Sequence, residues 1–146
     1  MEVFFVDQSG KVEQTNRDTV VAATDGKSVA VVIRSRDKQR LFARAKQSRR
    51  KNLYLRVFAY AIFRAVETLL HEDARIVIDA EYPGKETEVR SMVRDFLAAK
   101  HGQFDPRRIS FDRVGKHSKA HLLSANASEG GKVIVVSEKE LESAIG

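Results

Sequence analysis

The chain opens on a short apolar run, Glu2 to Val6, closed by Asp-Gln-Ser-Gly at residues 7–10. Aromatic and β-branched residues followed by turn-formers predict a strand and a turn. Thr19 to Thr24 and the Val-rich Ser28 to Ile33 read as a second and a third strand. Asp25-Gly26 joins them, the dipeptide favoured where both central residues of a hairpin turn need φ > 0. Three antiparallel strands are therefore expected first.

The period then changes. Lys38 to Ser48 is a basic helical stretch with few apolar residues. From Leu53 to Leu70, apolar residues (Leu53, Val57, Phe58, Ala61, Ile62, Ala65, Val66, Leu69) recur at spacings of three and four. Tyr54, Leu55, Tyr60 and Phe63 widen that stripe, as expected of a central helix packed on a sheet. Arg75 to Ala80 carries a continuous Ile-Val-Ile, the pattern of a buried parallel strand. Pro83-Gly84 makes a turn, and Lys85 to Ala99 is amphipathic through Val89, Met92, Val93, Phe96 and Leu97. Asp105-Pro106 breaks the chain before a fifth strand, Ile109 to Val114, and Ser118 to Ala127 reads as helix. Gly130-Gly131 is a second break. Val133 to Val136 is a short strand, and Ser137 caps a last helix, Glu138 to Ile145, with Glu140 completing a capping box. The order predicts an α/β fold: a mixed sheet of three antiparallel strands followed by αβαβα, with helices on both faces. Residues 1–146 are expected to form one domain, with a short strand-helix tail at 132–146.

Composition narrows the function. A chain of 146 residues suits one domain, and 42% hydrophobic with 32% charged residues is a globular balance. The absence of Cys excludes a disulfide scaffold, a thiolate zinc site, an iron–sulfur cluster and a cysteine nucleophile. No apolar run approaches the roughly 18 residues of a membrane span, so no membrane partner is expected. Met1 to Asp7 has no basic segment ahead of its apolar residues, which argues against a signal peptide and for a cytoplasmic protein.

The net charge of +6 is unevenly spread. Arg34 to Arg56 holds ten basic residues against the single acid Asp37, and Lys100 to Lys119 holds six against Asp105 and Asp112. Two basic blocks on a near-neutral body point to a polyanion, although a charged run is also what a solvated helix face looks like.

Asp7 and Asp79 are the carboxylates placed for chemistry. Each falls at the end of an expected strand, where open α/β sheets gather their ligands. If the first and fourth strands are parallel neighbours, the two meet at one edge. Paired carboxylates repel, and a divalent cation between them relieves the repulsion. A turn or a helix cap is the ordinary alternative for either residue alone.

The element order, with Asp-Gln-Ser-Gly after the first strand and Ile-Val-Ile-Asp at the fourth, resembles the ribonuclease H-like superfamily over residues 2 to 127. The resemblance implies a metal-dependent nuclease, with Asp7 and Asp79 as metal ligands. In such proteins a late helix supplies a further ligand, and the matching segment is Gly-Lys-His-Ser-Lys-Ala-His at residues 115–121. There His121 takes the position usually held by Asp, as in Piwi-type and some junction-resolving members. Asp7, Asp79 and His121 are thus the implied catalytic and metal-binding set, for Mg²⁺ or Mn²⁺. A neutral imidazole suits Mn²⁺ better. Nucleic acid, RNA or DNA, is the implied partner. Arg49, Arg50, Lys51, Lys116, His117 and Lys119 are the expected contacts to its backbone.

One position departs from that pattern. Many ribonuclease H-like enzymes carry a Glu near the start of the first long helix, but Asn52 to Tyr60 contains no acid and Arg56 lies about there. Glu67 lies 11 residues on from Arg56, about 16 Å along a helix, which is too far. Glu81 and Glu86 follow Asp79 and could supply a carboxylate, or could be ordinary loop and helix-start acids. The missing Glu keeps a second expectation open: a catalytically inactive nucleic-acid-binding or complex-assembly module on the same fold. The run Ile-Val-Ile-Asp-Ala-Glu also resembles the metal segment of Toprim domains, to which the opening hairpin is foreign. Phosphate-binding Gly-rich loops, nucleophile elbows and His-Glu-x-x-His helices are absent.

Overall fold

A computed structural model describes residues 3–24, 27–45, 51–70, 73–113 and 131–145. It is an α/β fold with a six-stranded mixed sheet. The strands are β1 (Val3–Ser9), β2 (Thr19–Thr24), β3 (Ser28–Ile33), β4 (Arg75–Asp79), β5 (Ile109–Asp112) and β6 (Lys132–Val135). Among the described residues the α-helices are α1 (Ser35–Arg44), α2 (Leu53–Val66), α3 (Glu86–His101) and α4 (Glu138–Ile145), with a 3₁₀ turn at Pro106–Arg108.

The sheet order is β5-β4-β1-β2-β3-β6. β1, β2 and β3 pair antiparallel as expected. β4 joins β1 in parallel, β5 joins β4 in parallel, and β6 joins β3 in parallel at the far edge. Period-two alternation sorts the side chains. Val6, Val21, Val31, Ile33, Ile76, Ile78 and Ile109 belong to one buried core with the apolar faces of α2 and α3. α2 packs on β2 and β3 and against α3, while α4 packs against α1 and α2. The helix expected over Ser118–Ala127 lies outside the described residues, as does the Asp25-Gly26 turn.

The opposite sheet face is less covered. Phe5, Val133 and Val135 are 42%, 44% and 48% exposed there. Asp7 has the parity of Phe5 and not of Val6, so it belongs to this face.

Most element ends differ from expectation by a few residues, the basic helix running Ser35–Arg44 and not Lys38–Ser48, and two ends and one cap are instructive. β1 continues through Gln8 and Ser9, because both pair with β2 (Gln8↔Val21, Ser9↔Val20) and the ladder overrides their turn preference. α2 stops at Val66 and not at Leu70, and Glu67 there turns its carboxylate to Arg64 at 3.3 Å. The expected capping box is half made. Ser137 Oγ accepts the Glu140 N–H at 3.2 Å, but the Glu140 carboxylate leaves the cap and accepts from Tyr60 Oη at 2.5 Å and Arg64 at 3.1 Å. That choice ties α4 to α2.

Candidate metal centre

Parallel pairing of β1 with β4 sets the site. Val6 stands opposite Ile78, so one step along each strand brings Asp7 beside Asp79. β4 and β5 continue the row, with Asp79 opposite Asp112. Beyond β4 the backbone folds back: the Glu81 N–H donates to the Asp79 carbonyl at 2.9 Å. This turn carries the Glu81 carboxyl to the two aspartates. Oxygens of Asp7, Asp79 and Glu81 lie within 4.8 Å of one another.

Asp7 is buried, with its Oδ1 accepting the Gln8 N–H at 2.8 Å; Asp79 and Glu81 are half-buried. Crowding of this kind disfavours a full set of negative charges. The Glu81 carboxyl is pushed up to about 8, first by burial, then by its hydrogen bond to Asp79 and the charges of Asp79 and Asp7, with Lys11 opposing. At neutral pH the cluster therefore retains a proton in the absence of a cation. Among the described residues the cluster is three carboxylates, which match the oxygen preference of Mg²⁺ and Mn²⁺.

Tyr82 braces the cluster. Its ring packs against Tyr54 at 5.3 Å and edge-on to Phe58 at 5.0 Å, both on α2. Its hydroxyl accepts the Gln8 side-chain N–H and the Val12 backbone N–H, each at 3.2 Å, and donates to Glu13 Oε1 at 3.1 Å. Residues flanking both Asp7 and Glu81 are thus tied together.

The structure brings together Asp7 and Asp79 of the expected set and adds Glu81. Glu86 does not join them, and Glu67 is occupied by Arg64 and Lys100. His121, His117, Lys116, Lys119, Arg49 and Arg50 lie outside the described residues. Lys51 is exposed two residues ahead of α2, the end of that helix at which Tyr54 meets Tyr82.

The basic blocks are less available than their charge count suggests. Lys38, inside the first, is fully buried and donates to the Lys11 carbonyl at 3.3 Å, the Gln14 carbonyl at 2.8 Å and Thr19 Oγ1 at 2.9 Å. Arg44 pairs with Glu138 at 3.0 Å. In the second block, Lys100 pairs with Glu67, Arg107 with Asp105, and Arg108 donates to the Ala74 carbonyl.

No protein-family model, curated protein or solved structure matches the chain. Among the described residues no helix is long and apolar enough to cross a membrane.

Proposed function

We propose that this protein is a metal-dependent nuclease of the ribonuclease H-like kind, acting on nucleic-acid phosphodiesters. The observation that carries the reading is the convergence of Asp7, Asp79 and Glu81 within 4.8 Å at the carboxyl ends of two adjacent parallel strands. A strand order with β1 at the centre, a hairpin on one side and parallel strands on the other supports it. β6 and α4 are additions to that pattern.

Asp7, Asp79 and Glu81 would hold Mg²⁺ or Mn²⁺, with His121 as a further ligand. The cation supplies Lewis-acid stabilisation of phosphodiester charge and an activated water. Glu81 would stand in for the acid missing from the first turn of α2, and as a ligand it would bind in its deprotonated form. Asp7 is held for its role by the Gln8 amide, and Glu81 by the turn onto Asp79 and the bracing of Tyr82. Lys51, Arg49, Arg50, Lys116, His117 and Lys119 would contact the nucleic-acid backbone in a cytoplasmic protein.

Asp7→Asn, Asp79→Asn and Glu81→Gln should each abolish Mn²⁺-dependent cleavage while the fold is retained. His121→Ala should do the same, and His121→Asp should retain activity in Mg²⁺. Active carboxylate variants would sink the proposal. The absence of an acid in the first turn of α2 favours a second reading, a binding module that has lost catalysis. Uptake of Mn²⁺ and nucleic acid by the wild type with no cleavage would establish that reading instead.

A further inference from the structure

The loop between β1 and β2 is fixed more firmly than an exposed connection requires. Gly10 has φ +74°, and a Cβ there would lie 2.1 Å from the Asp18 carbonyl oxygen, so only glycine fits the turn. Val12 is fully buried, and its N–H is bound by Tyr82 Oη. The buried ammonium of Lys38 holds the carbonyls of Lys11 and Gln14 from the other side. Residue 11 is therefore clamped through its own carbonyl and through the amide that follows.

The Lys11 side chain, by contrast, is exposed. Its Nζ stands over the Tyr82 ring, 5.9 Å from the centroid, and Tyr82 is the immediate neighbour of Glu81. The Lys11 charge acts on the Glu81 carboxyl. Among the described residues Lys11 forms no ion pair.

We propose that Lys11 is a substrate-contacting cation of this site, its ammonium taking a phosphate oxygen of the nucleic-acid backbone beside the carboxylates. The inference rests on the nuclease reading above. A cluster of carboxylates repels a polyanion, and a cation at its rim offsets that repulsion where the scissile phosphate must sit. Lysine suits the task, being a compact point charge on a flexible stem. Fixing its backbone reduces the ordering cost of engaging the phosphate. The competing role for Lys11 is a counter-charge for the carboxylates alone, and the two roles separate experimentally.

Full-length wild type, Lys11→Gln and Lys11→Arg are compared in three measurements. These are Mn²⁺ uptake by electron paramagnetic resonance, thermal unfolding, and binding of labelled DNA duplex and RNA–DNA hybrid in Ca²⁺ across a salt series. Lys11→Gln should unfold at the wild-type temperature and still take up Mn²⁺. It should bind both nucleic acids about tenfold more weakly at low salt, with a log–log salt slope smaller by about 1. Lys11→Arg should restore the slope. A wild type that binds Mn²⁺ and duplex, beside a Lys11→Gln variant with tighter Mn²⁺ uptake and an unchanged slope, makes Lys11 a counter-charge and overturns the proposal. A loss of unfolding temperature in Lys11→Gln gives the residue a structural role and overturns it too. A wild type that takes up no Mn²⁺ removes the metal centre itself, a failure read before any Lys11 variant is made.

Discussion

Two places in this molecule hold charge away from water, and they are built in opposite ways. Around Lys38, three oxygens converge on one ammonium: the carbonyls of Lys11 and Gln14 and the hydroxyl of Thr19. Every donor of the cation has an acceptor, and the arrangement is complete within the fold. Around Asp7, Asp79 and Glu81, three carboxyl groups converge on one another, and burial and crowding keep a proton on Glu81 at neutral pH. The first cluster joins a loop to a helix and needs nothing more. The second crowds three acids together and is the place proposed above to take a cation. Satisfied buried polar groups specify structure, whereas crowded acids with a raised pKa are candidates for a binding site.

The comparison breaks most visibly at Lys38. Lys38→Met removes the donor to the buried Thr19 hydroxyl and to two part-buried carbonyls and should cost about 3 kcal/mol in urea unfolding. Mn²⁺ supplies the next largest effect. At a hundredfold excess over its dissociation constant it should stabilise the wild type by about 2.7 kcal/mol. Asp79→Asn should lose most of that gain while its metal-free form becomes more stable than the wild type by about 1 kcal/mol. Thermal unfolding with and without Mn²⁺ reads both terms, and an equal metal response in Asp79→Asn would refute the site.

The two clusters also predict opposite pH limbs. Glu81 is raised from 4.5 to about 8 on folding, so the folded chain binds the extra proton in that window and metal-free stability falls as pH rises through it. Lys38 is lowered from 10.5 to about 8, chiefly by burial, so the folded chain holds fewer protons above pH 8 and stability climbs from there. Metal-free wild type should show a stability minimum near pH 8. Glu81→Gln should remove the falling limb, and Lys38→Met the rising one, in unfolding curves taken across pH.

The smallest effect concerns the surface. Neutralising Arg49, Arg50 and Lys51 together should reduce the salt slope of nucleic-acid binding by about 2–3, whereas Arg44→Gln, whose charge is taken up by Glu138 and Glu142, should leave it unchanged. A matching loss in Arg44→Gln would mean that those ion pairs open on binding.

These contrasts mark where the sequence is readable. Asp7 and Asp79 could be brought together in advance only on the condition that the first and fourth strands are parallel neighbours, a condition the β1–β4 pairing meets, although β1 runs two residues beyond the end expected at Asp7. Glu81 reads from the sequence either as a supplier of the missing carboxylate or as an ordinary loop acid. Its place depends on a turn that bends its N–H onto the Asp79 carbonyl and on Tyr82 reaching Gln8, a contact across 74 positions. Lys38 counted simply as one charge in a basic block. Its burial depends on where the β1–β2 loop settles, which no periodicity encodes. The same blindness affected Arg44, Lys100 and Arg107, each of which is taken up by an acid that composition cannot assign to it.

The position of β6 bears on how the chain is assembled as it is made. β3 is complete by Ile33, yet the strand beside it begins at Lys132, and α4, which then settles on α1 and α2, follows later still. Roughly a hundred residues are synthesised while the backbone groups along one side of β3 have no strand partner, a span of about 5–20 s at ordinary elongation rates. An unpaired edge is a template for other strands during that interval. Gly131, whose missing side chain lets the backbone pass close to Ser28, is the residue at which this waiting ends, because it brings the late segment onto the early one and closes the edge.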